Sequence, residues 1–148
     1  MEWTEYFLNI AEIVKNKSKD LNTKIGVVIV GIDNEIISTG YNSFVRGIND
    51  NDPKRQERPE KYYWFEHAER NAIYNAARIG VSTKGCIMYL SCGIPCADCA
   101  RAIIQAGIIV IWCKSGDPTP GHPNTIWNEH AKRSLIMFEE AKIKVNYY

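Results

Sequence analysis

Four side chains that could hold a metal ion and move a proton lie in two short segments of the sequence. His67 and Glu69 are separated by one residue, while Cys96 and Cys99 stand three positions apart and follow a proline. Imidazole nitrogen and thiolate sulfur are preferred zinc ligands, and three protein ligands leave the fourth tetrahedral position for a water molecule. We therefore expect His67, Cys96 and Cys99 to bind zinc, and Glu69 to carry protons between that water and a substrate.

Two predicted helices begin at these segments. Alanine-rich spacing followed by Gly80 predicts a helix over residues 66–79, and Pro95 and Gly107 delimit a second helix. A buried strand is predicted between them, over residues 86–90. If both helices lie on the same face of the sheet, their first turns are adjacent and the four side chains converge. The positive end of the second helix would also favour thiolates.

The rest of the chain alternates predicted strands with helices of ten or more residues, which is typical of a layered α/β sheet. A tight polar turn is expected to join the first two strands into a hairpin. The other predicted elements are an amphipathic helix over residues 4–17, strands over 25–31, 36–41, 108–112 and 143–148, and a last helix over 125–140. These elements predict one domain over residues 1–148.

Residues 42–60 interrupt this pattern. They are rich in Asn, Asp, Arg, Gly and Pro and show neither helical nor strand periodicity. Long loops in compact domains are often lids or binding segments, so a solvated surface loop and a lid or effector region are both open interpretations. A second loop is predicted over residues 115–123. The aromatic run at 62–65 favours packing in the core or at a subunit interface over stacking on a base.

Composition limits the class of partner. The 148 residues are 45% apolar, and 18 Lys and Arg against 17 Asp and Glu give a net charge of +1. A dedicated nucleic-acid binder would usually show a basic excess, so a small partner fits better than a polyanion. The five cysteines do not form an even disulfide framework, the start resembles no signal peptide, and no apolar run reaches the length of a membrane span. We expect a cytoplasmic protein with no membrane partner.

The segment HAERNAIYNAA followed by PCADCARAIIQAGI resembles the cytidine/deoxycytidylate deaminase superfamily, and within it the deoxycytidylate (dCMP) deaminases. The upstream segments SKDLNTKIGVVIV and STGYNS resemble the same subfamily, so the resemblance covers residues 18–112. It implies a three-layer α/β/α fold with a five-stranded mixed sheet. It also implies zinc on His67, Cys96 and Cys99, proton transfer by Glu69, and hydrolysis of dCMP to dUMP and ammonia.

The resemblance implies further substrate contacts. The backbone amide of Ala68 would hold the ring carbonyl, the carbonyl of Ile94 would face the exocyclic amine, and Asn42 would contact the nucleoside. A monophosphate also needs cationic or amide donors near the mouth of the pocket. Lys19 and Arg46 flank the first strands and are the candidates for that contact.

Regulation is a second implication of the resemblance. Many dCMP deaminases are hexamers that dCTP activates and dTTP inhibits with a divalent cation such as magnesium, the effector lying near the Gly-Tyr-Asn loop. In this chain Ser43 follows that asparagine, where regulated relatives commonly have glycine. Some relatives hold a second, structural zinc partly through N-terminal cysteines. No cysteine precedes Cys86 here, so we expect that second site to be missing.

Two other functions share parts of the motif. A tRNA adenosine deaminase would use the same catalytic residues, but its basic surface and salt-sensitive binding fit the near-neutral charge poorly. A non-catalytic module could close its zinc with Cys92 as fourth ligand, Glu69 then being only an acid in a first helical turn. Cys92 could instead be a small buried residue at the end of a strand.

Overall fold

The computed structural model describes residues 1–117, 119 and 124–148, with backbone alone at 124–128. The elements are α1 (Trp3–Val14), β1 (Gly26–Val30), β2 (Ile36–Tyr41), β3 (Ser43–Phe44), α2 (Lys61–Trp64), β4 (Phe65–Glu66), α3 (Ala68–Ile79), β5 (Ile87–Leu90), α4 (Ala97–Gln105), β6 (Val110–Cys113), α5 (Asn124–Glu140) and β7 (Lys144–Tyr147). Short 3-10 turns span Lys15–Lys17 and Pro53–Gln56.

Five strands form one mixed sheet in the order β2-β1-β5-β6-β7. The predicted hairpin is confirmed, because β1 pairs antiparallel with β2, and it also pairs antiparallel with β5. Strands β5, β6 and β7 run parallel. Each parallel connection carries a helix, α4 before β6 and α5 before β7, as parallel pairs require.

Alternate residues of the central strands point to two different cores. Val27 and Ile29 of β1 pack with α3, α4 and Phe138 of α5 on one face. Val28 and Val30 pack with α1 on the other face, around Phe7 and Tyr89. Helices therefore cover both faces, and the predicted three-layer α/β/α fold with a five-stranded mixed sheet is confirmed.

Helix α3 lies unusually close to β2. A Cβ atom at Gly40 would overlap the backbone of Ala72 and would lie 2.5 Å from the Ala68 carbonyl oxygen, so only glycine fits there. Polar side chains fix the contact: Asn71 donates to the Tyr41 carbonyl at 2.8 Å. Asn75 and Ser38 make comparable bonds, to the Thr39 and Ala72 carbonyls respectively. These bonds set where the first turn of α3 stands relative to the sheet.

The segment 42–60 and its continuation differ from the predicted long loop and helix. Helix α3 begins at Ala68, not near residue 66, because the preceding residues pair as β4 with β3. Within the loop, Asp52 caps the short turn at Pro53–Gln56, and its side chain accepts from the Lys54 amide. The Arg55 guanidinium lies 3.8 Å over the Trp64 ring. Alternating periodicity cannot reveal such short, capped elements.

The later elements follow the prediction within two residues. Of the loop predicted at 115–123, residues 118 and 120–123 lie outside the described part of the chain. Helix α5 begins at Asn124, one residue before the predicted start. Across the described residues, no helix has the length and apolar character needed to cross a bilayer.

Candidate active site

Three potential metal ligands converge at the first turns of α3 and α4. His67 immediately precedes α3 and Cys96 immediately precedes α4, both with extended backbone, and Cys99 lies in the first turn of α4. The His67 Nδ1 atom lies 3.5 Å from the Cys96 sulfur and 3.4 Å from the Cys99 sulfur. Taken together, the ligand atoms lie within 4.8 Å of one another.

This spacing fits zinc. With Zn–S near 2.3 Å and Zn–N near 2.0 Å, tetrahedral geometry places a sulfur and a nitrogen ligand about 3.5 Å apart. The His67 distances of 3.4 and 3.5 Å match that separation. Two sulfurs and one imidazole nitrogen also leave one coordination position open.

The Glu69 side chain lies in the first turn of α3 and is fully buried. Neither carboxyl oxygen has a hydrogen-bond partner among the described residues. Burial raises the pKa of the Glu69 carboxyl, while the nearby His67 opposes that shift. A buried carboxyl without a partner is costly unless it is protonated or finds a ligand, so the group is suited to accepting and releasing a proton.

A cavity of about 190 Å³ opens onto these residues. Its wall contains His67, Ala68 and Glu69 together with Asn42, Phe65 and Tyr62. As at the start of any α-helix, the backbone N–H of Ala68 has no intrahelical acceptor and is available to a ligand. The cavity thus combines a metal site, a buried carboxyl and a backbone donor.

The sequence profile described as "Cytidine and deoxycytidylate deaminase zinc-binding region" matches residues 1–114. The chain belongs to this family. Human deoxycytidylate deaminase is 40% identical over 113 residues, which cover 73% of this chain. The deaminase-family chain spans 62% of the length of that human protein.

Two further relatives cover nearly the whole chain. An uncharacterised deaminase of Aliivibrio fischeri is 35% identical over 146 residues, covering 99% of this chain and 93% of the relative. The structure of dCMP deaminase from the cyanophage S-TIM5 in complex with dCMP and dUMP superposes with a TM-score of 0.75 at 20% identity, covering 97% and 95% of the two chains. That likeness shows that the deaminase fold extends through α5 and β7.

Cys92 lies apart from the metal ligands of this deaminase-family site. It is buried but does not join the group of His67, Cys96 and Cys99, which is the sole such group among the described residues. Burial raises the pKa of its thiol well above the ordinary value. Cys92 therefore packs as a small buried residue after β5, outside the group of candidate ligands.

Asn42 lines the cavity, but its amide group already binds the protein. Its Nδ2 donates to the Asp20 carboxylate at 3.2 Å and to the Thr23 carbonyl at 2.8 Å. Its Oδ1 accepts from the Ile25 amide at 2.8 Å. Both donors are used, so a direct contact with a nucleoside would have to use the second lone pair of Oδ1. Ile94 is half-buried and packs against the larger core.

Lys19 and Arg46 do not line the cavity that contains His67. They line a second cavity of about 370 Å³ on the other side of Glu66, which contributes to both. Lys19 pairs with Asp50 at 2.6 Å, and Arg46 donates to Asn75 at 2.5 Å. Arg46 follows β3, which pairs with β4, whereas Lys19 lies before β1.

Three cations line the first cavity; Arg70 lies within the HAERNAIYNAA segment, and sequence reasoning predicted neither of the other two as a site residue. Lys61 is buried and pairs with Asp20 at 2.6 Å, the same carboxylate that holds Asn42. Arg58 is exposed, lies 5.8 Å from the Tyr62 ring, and makes no ion pair with a described residue. Both belong to the segment around α2, which returns to the cavity only through tertiary folding, so no motif marks them.

Proposed function

We propose that this protein catalyses the zinc-dependent hydrolytic deamination of dCMP to dUMP and ammonia, a reaction that supplies the precursor of dTMP. The observation that carries the proposal is the convergence of His67, Cys96 and Cys99 beside the buried carboxyl of Glu69. When bound, zinc would lower the pKa of a water molecule toward neutrality. The names of the curated relatives support dCMP as the substrate.

The chain's own groups would carry the remaining steps. Glu69 accepts a proton from the attacking water and gives it to ring nitrogen 3 while oxygen adds to carbon 4. It then takes the second water proton and passes it to the exocyclic amine, the bond from carbon 4 to that nitrogen breaks, and ammonia leaves. The Ala68 amide holds the ring carbonyl, and the Ile94 carbonyl faces the amine. Ala68 and Glu69 line the same cavity, so a ring bound to the Ala68 amide would lie beside the Glu69 carboxyl.

A substrate panel tests this function. We would measure ammonia release, or base conversion for the RNA, from dCMP, dCTP, deoxycytidine and a tRNA anticodon stem, and compare kcat/KM. The expected result is the highest value for dCMP. Preferred conversion of the RNA, weakening steeply with salt, would identify a polynucleotide deaminase instead. Zinc-loaded protein that is inert on every substrate would identify a non-catalytic module.

The phosphate of dCMP would bind at the outer end of the cavity, near Arg58. Three cations line this cavity, and two of them already have carboxylate partners: Lys61 with Asp20, and Arg70 with Glu66. The Arg58 guanidinium is exposed at the wall and has no such partner among the described residues. A guanidinium with free donors is well suited to bidentate binding of a phosphate.

Arg58→Ala is therefore expected to raise KM for dCMP by roughly 10- to 100-fold, because it removes a charge-assisted contact. KM for deoxycytidine, which has no phosphate, should change little. The matched control is Arg133→Ala, which removes an exposed arginine on α5 that does not line the cavity. Equal effects on dCMP and deoxycytidine would show that Arg58 does not contact the phosphate.

The second cavity is the place we propose for a dCTP or dTTP effector with magnesium. Lys17, Lys19, Arg46 and Arg78 line it, against the acids Asp50 and Glu66. A nucleoside triphosphate carries the complementary charge, and the magnesium ion would bind its phosphates. Ser43, the departure from regulated relatives, lines the same cavity.

Arg78→Ala is expected to weaken the response to dCTP, because Arg78 is exposed in that cavity and supplies one of its four cations. The measurement is the dCMP deamination rate as dCTP and then dTTP are titrated with magnesium. The control is again Arg133→Ala, which should keep the wild-type response. A wild-type rate that neither nucleotide changes would contradict the effector proposal.

We also propose a homo-oligomer, a hexamer, in the cytoplasm. Apolar side chains exposed on the described surface support association, including Trp3, Ile13, Tyr63 and Ile79, each more than half exposed. The five free cysteines support a reducing compartment. Light scattering of the purified protein would measure the assembly, and a monomeric mass at micromolar concentration would contradict it.

A further inference from the structure

Two side chains of α5 hold the backbone on either side of Cys96. The His130 Nδ1 atom accepts a hydrogen bond from the Ala97 amide at 2.9 Å. The Ser134 hydroxyl donates to the Pro95 carbonyl at 2.7 Å. Ser134 is fully buried, and the two residues lie one helical turn apart on the same face of α5.

The turn from Pro95 to Ala97 is joined to α4 by a backbone hydrogen bond, in which the Cys96 carbonyl accepts from the Ala100 amide at 2.8 Å. Proline has no N–H, and the first amides of an α-helix have no intrahelical acceptor. Cys96 itself has an extended backbone, with φ −65° and ψ 167°, and its side chain does not cap the helix. The contacts from α5 therefore fix the carbonyl before Cys96 and the amide after it.

We propose that His130 and Ser134 are positioning residues for the zinc site, acting through the Pro95–Ala97 backbone. By holding that backbone from both sides, they keep the Cys96 sulfur at 3.5 Å from the His67 nitrogen. Both lie beyond residue 114, where the match to the family profile ends, so the family motif does not include them.

The required chemistry at His130 is an acceptor at the δ position. Asparagine carries its Oδ1 where histidine carries Nδ1, whereas glutamine places its oxygen one bond farther out. His130→Asn should therefore retain the bond to the Ala97 amide, and His130→Gln should lose it. The two variants carry the same amide group, and helix propensity favours glutamine over asparagine, which is opposite to the expected order of their zinc affinities.

The test is zinc affinity, measured by competition with a chromogenic chelator, together with the visible spectrum of the cobalt-substituted protein. Partners that orient metal ligands typically contribute about 10- to 100-fold in metal affinity. We expect His130→Gln and Ser134→Ala to weaken zinc binding by about 10- to 100-fold and to shift the absorption bands of the bound cobalt. His130→Asn should remain near wild type in both measurements.

Lys132→Ala is the control on the same helix, since Lys132 is exposed and pairs only with Glu129 among the described residues. The thermal midpoint of each metal-free variant separates loss of fold from loss of metal geometry. Unchanged zinc affinity and cobalt spectrum in both His130→Gln and Ser134→Ala would overturn the proposal. So would equal losses in His130→Asn and His130→Gln. None of these measurements depends on which substrate the protein deaminates.

Discussion

Replacing Glu69 by glutamine is expected to leave zinc bound and to lower dCMP turnover by about 10²- to 10⁴-fold, the usual contribution of a positioned acid or base. Glutamine has nearly the shape of the carboxyl it replaces, so the fully buried side chain keeps its packing. It cannot exchange the proton that both halves of the proposed reaction require. The measurements are steady-state turnover and zinc content by elemental analysis.

This experiment distinguishes two roles for a buried acid in a first helical turn: proton transfer and stabilisation of the helix terminus. If Glu69 serves only the helix terminus, glutamine costs a few tenths of a kcal/mol in stability and leaves turnover intact. Near-normal deamination by the zinc-loaded variant would therefore contradict proton transfer by Glu69. Loss of zinc together with activity would point instead to a direct or indirect part in holding the metal.

The second large effect is expected at the thiolates. Cys99→Ser removes one of three ligands whose atoms lie within 4.8 Å of one another, so zinc content and turnover should both fall to near background. A serine hydroxyl is a poor substitute, since zinc sites of this type are built from thiolate and imidazole. Cys96→Ser should behave in the same way.

Cys92→Ala is the matched control because Cys92 is also buried near the site yet lies outside the ligand group. It should keep full zinc and at most lose some stability from the small cavity it leaves. Full zinc in both ligand variants, or loss of zinc in Cys92→Ala, would contradict the three-ligand assignment. The second result would favour a closed site with four protein ligands.

The sequence was sufficient to predict the metal centre because its parts are local. His67 and Cys96 each stand directly before a helix, and helix boundaries are marked by short-range signals such as Pro95 before α4 and Gly80 at the end of α3. A single strand, β5, separates the two helices in the chain, which led us to expect that their first turns lie side by side. The three-layer fold and its five-stranded mixed sheet were implied by the family resemblance, whereas the strand order and the two cores are known only from the structure.

The outer part of the cavity could not be predicted in this way. Lys19 and Arg46 flank the first strands, but they line a different cavity from the one that contains His67. Arg58 and Lys61 reach the first cavity from a segment without periodicity. Asn42 was predicted by resemblance to contact the nucleoside, yet its donors are already bonded to Asp20 and Thr23.

Gly26 and Gly40 occupy neighbouring positions of the β1–β2 ladder, where Gly26 pairs with Tyr41 and Val27 with Gly40. A Cβ at Gly26 would overlap α1, as one at Gly40 would overlap α3. At these two glycines the backbone of the sheet contacts the backbones of α1 and α3 directly. Peptide atoms have no rotamers, so the separation there cannot relax when core residues elsewhere are exchanged. Substitutions of core residues should therefore leave the first turn of α3, with His67 before it and Glu69 within it, in the same place relative to the sheet.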